Sequence, residues 1–199
     1  LLAPFVAARL LPGMEGGNAL ARVLFGEVNP SGKLPFSTPH SESDLPYFSN
    51  EDNTFTYDYY HGYTLLDKND VKPMYPFGHG LSYSRFELAN HTLEVLEDRI
   101  SVGVDVVNTS AVDGKEVVQV YVGYEGSQVE RHRKLLKGFE KVLVKRGETV
   151  RVRVDVKLAE LEYYSPEQQG FVFERMDYQL YVGNSSAREG LVKLEAKLG

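Results

Sequence analysis

A chain of 199 residues, 42% hydrophobic and 25% charged, has the composition of one or two ordinary globular domains. Its formal charge of −6 argues against a nucleic-acid surface, which needs a basic face, and the absence of cysteine excludes disulfides, thiolate metal sites and cysteine nucleophiles. No run approaches the roughly 18 apolar residues of a membrane span.

Residues 1–11 (LLAPFVAARLL) look like the apolar core of a signal peptide, but no basic segment precedes them and Arg9 interrupts them. They read as mid-pattern sequence of a longer polypeptide. A helix is expected next, with Asn18 as its N-cap, Leu20, Val23 and Leu24 on one face, and Gly26 as its stop. Asn29-Pro30-Ser31-Gly32 predicts a type I turn, and Lys33-Leu34-Pro35-Phe36 an extended run. Residues 1–47 thus read as strand–helix–strand material, the C-terminal end of an α/β sandwich domain, too short to close a core alone.

Residues 48–85 have no steady period and are rich in tyrosine, proline and glycine. So many rings make a poor solvated tether, so this segment is expected to be a linker packed on neighbouring domains. Residues 86–199 alternate instead. Ile100, Val102, Val104 and Val106 interleave with small or polar residues, as do Val150, Val152, Val154 and Val156, and then Val192, Leu194 and Ala196. Period two with one polar face marks half-buried antiparallel strands. Residues 116–124 and 177–182 add two more, the first apolar on both sides. About seven strands over about 110 residues predict an immunoglobulin-like, fibronectin type III-like antiparallel β-sandwich. The basic run Arg131-His132-Arg133-Lys134 reads as a solvated edge or loop between strands.

No reaction is named by these patterns. Gly26 to Lys33 misses the phosphate-loop spacing, carries a proline and continues with Leu34 where a hydroxyl is required. Gly80-Leu81-Ser82-Tyr83-Ser84 lacks the closing glycine of a nucleophile elbow. The five histidines are scattered with no metal-ligand spacing, so neither a metal nor another cofactor is expected. Most carboxylates of the sandwich fall at outward strand positions.

Four stretches in order nevertheless resemble glycoside hydrolase family 3. Residues 12–35 (PGMEGGNALARVLFGEVNPSGKLP) are similar to the closing helix and strand of its α/β sandwich domain, and residues 75–86 (YPFGHGLSYSRF) to the turn into its third domain. Residues 106–122 with 136–148 resemble the first part of its fibronectin type III-like domain, and residues 181–186 (YVGNSS) its end. The resemblance implies the C-terminal portion of a retaining, exo-acting β-glucosidase. Such chemistry needs two carboxylates about 5–5.5 Å apart. In this family the nucleophilic Asp sits in an upstream barrel, usually beside a tryptophan, and the acid/base Glu in the α/β domain before the residues matched here. This chain has no tryptophan, its Ser43-Asp44 lies in a proline-flanked loop, and Glu15 suits a helix start, where a carboxylate meets the dipole. No catalytic residue is therefore expected in this chain.

Two departures from the family pattern stand out: residues 57–63 (YDYYHGY) where many relatives carry Glu-Gly, and Arg131-His132 where many carry Arg-Pro. The first leaves room for Tyr57, Asp58, Tyr59, Tyr60 and His61 to border a substrate cleft, since tyrosine faces stack on sugar rings. The expected partners are upstream barrel and α/β domains of the same polypeptide and, through them, a small saccharide, with no nucleic acid or membrane; a homo-oligomer and the compartment are left open. The alternative is an independent sandwich module that binds carbohydrate or protein, although the strands offer no evident ring of exposed aromatics. Three N-glycosylation patterns, at Asn90, Asn108 and Asn184, arise easily by chance.

Overall fold

The structure is a computed structural model that describes residues 13–49, 51–54 and 56–199. The expectation for residues 1–11 lies outside them. The alternating half of the chain forms nine strands: β1 (Phe86–Val95), β2 (Arg99–Asn108), β3 (Gly114–Gly123), β4 (Leu135–Val144), β5 (Thr149–Lys157), β6 (Tyr163–Ser165), β7 (Gly170–Val172), β8 (Tyr178–Gly183) and β9 (Val192–Ala196). Seven of them make the two sheets of a sandwich, in the orders β1-β2-β5 and β4-β3-β8-β9, and β6-β7 is a separate hairpin. All pairings are antiparallel. The fold is the fibronectin type III-like sandwich that the alternation predicts.

Register explains why the alternation is so clean. Ile100 pairs with Val156, Val102 with Val154 and Val104 with Val152, so one face of β2-β5 is a block of branched aliphatics. They close on Val118, Val120, Val122, Leu180 and Val182 of the other sheet, all fully buried. Each such side chain contributes about 1.5–3 kcal/mol by leaving water. Asn108 is also enclosed: its amide donates to the carbonyls of Val112 and Val144, tying the β2–β3 turn to the end of β4. Of the three glycosylation-type asparagines, Asn108 is spent on the fold, Asn184 is half-buried, and Asn90 is exposed at a bulge of β1 with a left-handed φ of 49°.

Strand β3 is buried on both faces, as its sequence suggests, and for a specific reason. Val118, Val120 and Val122 enter the core, whereas Gln119 and Tyr121 are covered by residues that precede the sandwich. Gln119 donates to the carbonyls of Gly78 and Asn184, Tyr121 donates to Gln119, and the Tyr63 ring meets Tyr121 edge-on at 6.0 Å. Asn29 adds a second clamp: its side chain donates to Ser84 and Asp113 and accepts from Ser82 and Tyr83. The anticipated turn at 29–32 does not form. These residues run extended, because Asn29 spends its side chain across the chain rather than on its own turn.

Helix α1 (Gly16–Leu24) starts earlier than its sequence suggests: Glu15 is the N-cap, and Asn18 lies inside the first turn, donating to the Glu15 carboxylate at 2.6 Å. A carboxylate at that position faces the positive helix end, a preference that outweighs the capping tendency of Asn18. The expected extended run 33–36 forms no ladder strand and bends at Pro35 and Phe36, and Leu34 exchanges backbone hydrogen bonds with Gly78 and His79. A short helix without evident period in the sequence, α2 (Gly62–Lys68), interrupts the 48–85 segment.

Candidate functional site

The basic run corrects its reading as a solvated loop. It precedes β4 directly beneath α2, where Lys134 is 5% exposed and the Arg131 side chain 9%. Charge here is spent on docking. Lys134 Nζ meets the Asp67 carboxylate at 2.5 Å, and Arg188, in the β8–β9 connection, reaches the same carboxylate at 3.4 Å and the Asp67 carbonyl at 2.7 Å. Asp70, just past α2, is shared by Arg133 and Arg188, whose hydrogen bonds hold its carboxyl far below the usual carboxylate range. Burial pushes the Lys134 ammonium down, against the pull of Asp67. A seven-residue helix cannot persist on its own; these ion pairs and the Tyr63 hydroxyl, which accepts from the Leu136 amide, fix it to the sandwich.

The residues expected to border a cleft lie one step toward the N-terminus. Tyr59 stacks on His132 at 4.1 Å with planes 10° apart, and Tyr60 meets both rings edge-on at 5.0 Å. The Tyr60 hydroxyl donates to the Arg131 carbonyl, and Lys68 Nζ lies 3.7 Å from the Tyr60 ring centre. Tyr57 contacts the His61 ring at 5.9 Å. The Asp58 carboxylate accepts from the Tyr59 amide, and its carbonyl lies 3.3 Å from the His61 Nδ1. The structure therefore brings Tyr59 and Tyr60 onto the basic run and leaves Tyr57 and Asp58 facing outward. Burial, with His61 and Arg131 adding positive charge, holds the His132 imidazole below the ordinary histidine value.

Beside this cluster lies a groove of about 580 Å³, lined by the basic run, Asp67, Tyr124, Glu125, Tyr181, Arg188, Leu191 and Lys193. Arg131 is the pivot of its wall. Its guanidinium lies over the Tyr124 ring at 3.9 Å, its Nη2 donates to the Leu161 carbonyl, and its Nη1 makes no hydrogen bond. Glu174 stands 3.9 Å from that Nη1, but its carboxylate already accepts from Ser127 and the Gln128 amide. The Tyr124 hydroxyl, which has Arg131 beside it, and His132 Nδ1 are likewise buried without a well-formed hydrogen bond. Burial pushes Tyr124 up to about 12 against the opposing effect of Arg131. Each unmade buried hydrogen bond costs about 1–3 kcal/mol.

Sequence reasoning missed Arg133, Lys134, Asp67, Asp70 and Arg188 as a unit, because the partners lie between 63 and 121 positions apart and cross from linker to sandwich. The available signal was the run itself: four consecutive basic residues in an acidic chain, next to a strand apolar on both faces. Among the described residues no group of three or more metal-ligating side chains converges.

Comparison with known proteins places both halves. Residues 4–83 match the glycosyl hydrolase family 3 C-terminal domain, and residues 116–186 the fibronectin type III-like domain. A β-glucosidase of Kluyveromyces marxianus is 41% identical over 181 residues, covering 87% of this chain and 21% of that protein. The thermostable β-glucosidase B of Acetivibrio thermocellus is 38% identical over 185 residues, covering 88% of this chain and 24% of its own. The crystal structure of the β-D-glucoside glucohydrolase of Trichoderma reesei superposes with a TM-score of 0.87 at 26% identity, over 95% of this chain and 29% of that one. The chain thus spans about a quarter of the length of the curated relatives it matches.

Proposed function

Since the chain belongs to glycoside hydrolase family 3, as the C-terminal part of such an enzyme, we propose that it braces a retaining, exo-acting β-glycosidase that removes terminal β-linked glucose. The observation that carries this reading is the pair of domain matches, in order along one chain, shared with relatives named as β-glucosidases. In the proposed enzyme the nucleophilic and acid/base carboxylates belong to upstream barrel and α/β domains, which also hold the saccharide. This chain contributes a rigid support. The clamp from Asn29 anchors the α/β piece to the sandwich, those from Tyr63, Asp67 and Gly78 anchor the linker, and a catalytic centre tolerates little displacement of its supporting elements.

The test pairs intact mass with hydrolysis of an aryl β-glucoside. A natural polypeptide heavier than the 22.4 kDa of these 199 residues should carry this sequence and hydrolyse the glycoside, and the 199-residue chain alone should not. Robust turnover by the isolated chain would overturn the assignment of the carboxylates. Sedimentation of the active enzyme decides between a monomer and the homo-oligomer that the sequence leaves open.

The tyrosine cluster is proposed to border the substrate cleft of that enzyme. The exposure of Tyr57, at 67%, and of Tyr59, at 48%, supports this, since both keep ring surface for a sugar face. Tyr57→Ala and Tyr59→Ala in the active enzyme are expected to raise KM severalfold for an oligosaccharide and leave kcat unchanged. Unaltered KM for both would reduce the cluster to packing.

A further inference from the structure

We propose that the groove beside β3 and β8 is a ligand site that takes a small oxyanion: a carboxylate or phosphate group, free or carried on a sugar. In a chain with a net charge of −6, the groove collects five cations, Arg131, Arg133, Lys134, Arg188 and Lys193, against two carboxylates, Asp67 and Glu125. Four of those cations have an acid beside them: Lys134 has Asp67, Lys193 has Glu125, and Arg133 and Arg188 share Asp70, which lies outside the lining, with Arg188 also near Asp67. Two guanidinia on one carboxylate leave positive charge at the mouth, where both are about half exposed.

The wall supplies the specific element. Arg131 and Tyr124 are more than nine-tenths buried, and each keeps a polar atom without a hydrogen bond. Arginine has donors only, so Nη1 can be satisfied solely by an acceptor. The Leu161 carbonyl pins the other arm of the fork and the Tyr124 ring fixes its plane, so that the unused donor is pre-positioned. An oxyanion offers what is lacking: acceptor oxygens for Arg131 Nη1 and the Tyr124 hydroxyl, with charge matched to the mouth. His132 Nδ1 is a third unpartnered atom of the same wall. All three atoms are shielded from solvent, so a ligand reaches them only when a side chain of this wall moves; the His132 ring is held by ring contacts with Tyr59 and Tyr60, and its Nδ1 has no hydrogen bond to break. A volume of about 580 Å³ is of the size that small-molecule sites have.

The test is calorimetric titration of the 199-residue chain at low salt with inorganic phosphate, with D-glucuronate, and with D-glucose as the neutral control. Saturable binding of phosphate or glucuronate, at least tenfold tighter than glucose, is expected, and whichever binds tighter assigns the source of the oxyanion. Arg131→Met should weaken it at least tenfold and Tyr124→Phe, which removes only a hydroxyl, at least threefold. Lys157→Met, on the opposite sheet, should leave it unchanged. The Tyr124→Phe arm stands even if Arg131→Met does not fold. No saturable binding of either anion, glucose binding as tight as theirs, or anion affinity unmoved by Tyr124→Phe would each overturn the proposal. None of these readouts depends on hydrolysis, so failure here leaves the enzyme reading untouched.

Discussion

Lys134 and Asp67 meet where little water reaches, with side chains 6% and 12% exposed. A buried pair gains little over a well-packed apolar pair, but removing one partner strands a charge and costs about 3–5 kcal/mol. Lys134→Ala is therefore expected to lower unfolding stability by about 3–5 kcal/mol in denaturant titration. Asp67→Asn, which keeps the shape and loses the charge, should cost nearly as much; a small effect would place the loss in packing. His132 works through its proton. Its folded pKa lies below the unfolded value of about 6.5, so the neutral ring is favoured in the fold. The resulting stability is complete above that pH and is lost as pH falls through the folded value. The NMR shifts of Tyr59 should move with acidification over that range, and His132→Phe should abolish the change. Neither role is legible locally, since four adjacent basic letters look the same whether they meet water or an aspartate 67 positions away.

At the scale of elements, the 48–85 segment behaves as a strap over β3. Gly78 is its tightest point: φ is +78°, and a Cβ there would stand 2.3 Å from Gln119 Oε1. Gly78→Ala would strain the backbone and displace the amide that bonds Asn184, so a loss of about 1–3 kcal/mol is expected, read as a lowered Tm. Helix α2 should be the first element freed by acid. Asp70 has a folded pKa held below its unfolded value, so its stabilising bonds are intact above about pH 4 and fail as pH falls toward the folded value. The protection of amides over Gly62–Lys68, corrected for intrinsic exchange, should fall progressively below about pH 4 while that of the core strands is kept. Of the strap's rings, Tyr60, Tyr63 and Phe77 pack on other rings whereas Phe48, Tyr57 and Tyr59 stay exposed; its helix was not legible, because two turns offer too few positions for a period and its stability comes from distant cations. In α1 the dipole preference of Glu15 and the capping preference of Asn18 compete within three residues, and sequence alone does not rank them.

Across the whole molecule, legibility follows the range of the forces. The sandwich rests on a period of two that every strand of β2 and β5 repeats, so its existence and inward faces could be read directly. The meeting of the two halves rests on single contacts: Asn29 with Asp113, Lys141 with the Ser31 carbonyl, Arg188 with Asp70. No local pattern announces these. The sandwich is also incomplete without the strap, since Gln119 and Tyr121 would lose their cover from Gly78 and Tyr63. Residues 86–199 produced alone are expected to self-associate in sedimentation, whereas the 199-residue chain should do so less. The doubly covered β3 also sets a timetable. A ribosome releases residues 29–80 well before it completes β8, whose following residues supply the Asn184 carbonyl and Arg188. The earlier-made half must therefore wait, its tyrosines unburied, for a surface not yet translated. During synthesis the vulnerable interval belongs to the strap, and it closes only when residues 184–188 have left the tunnel.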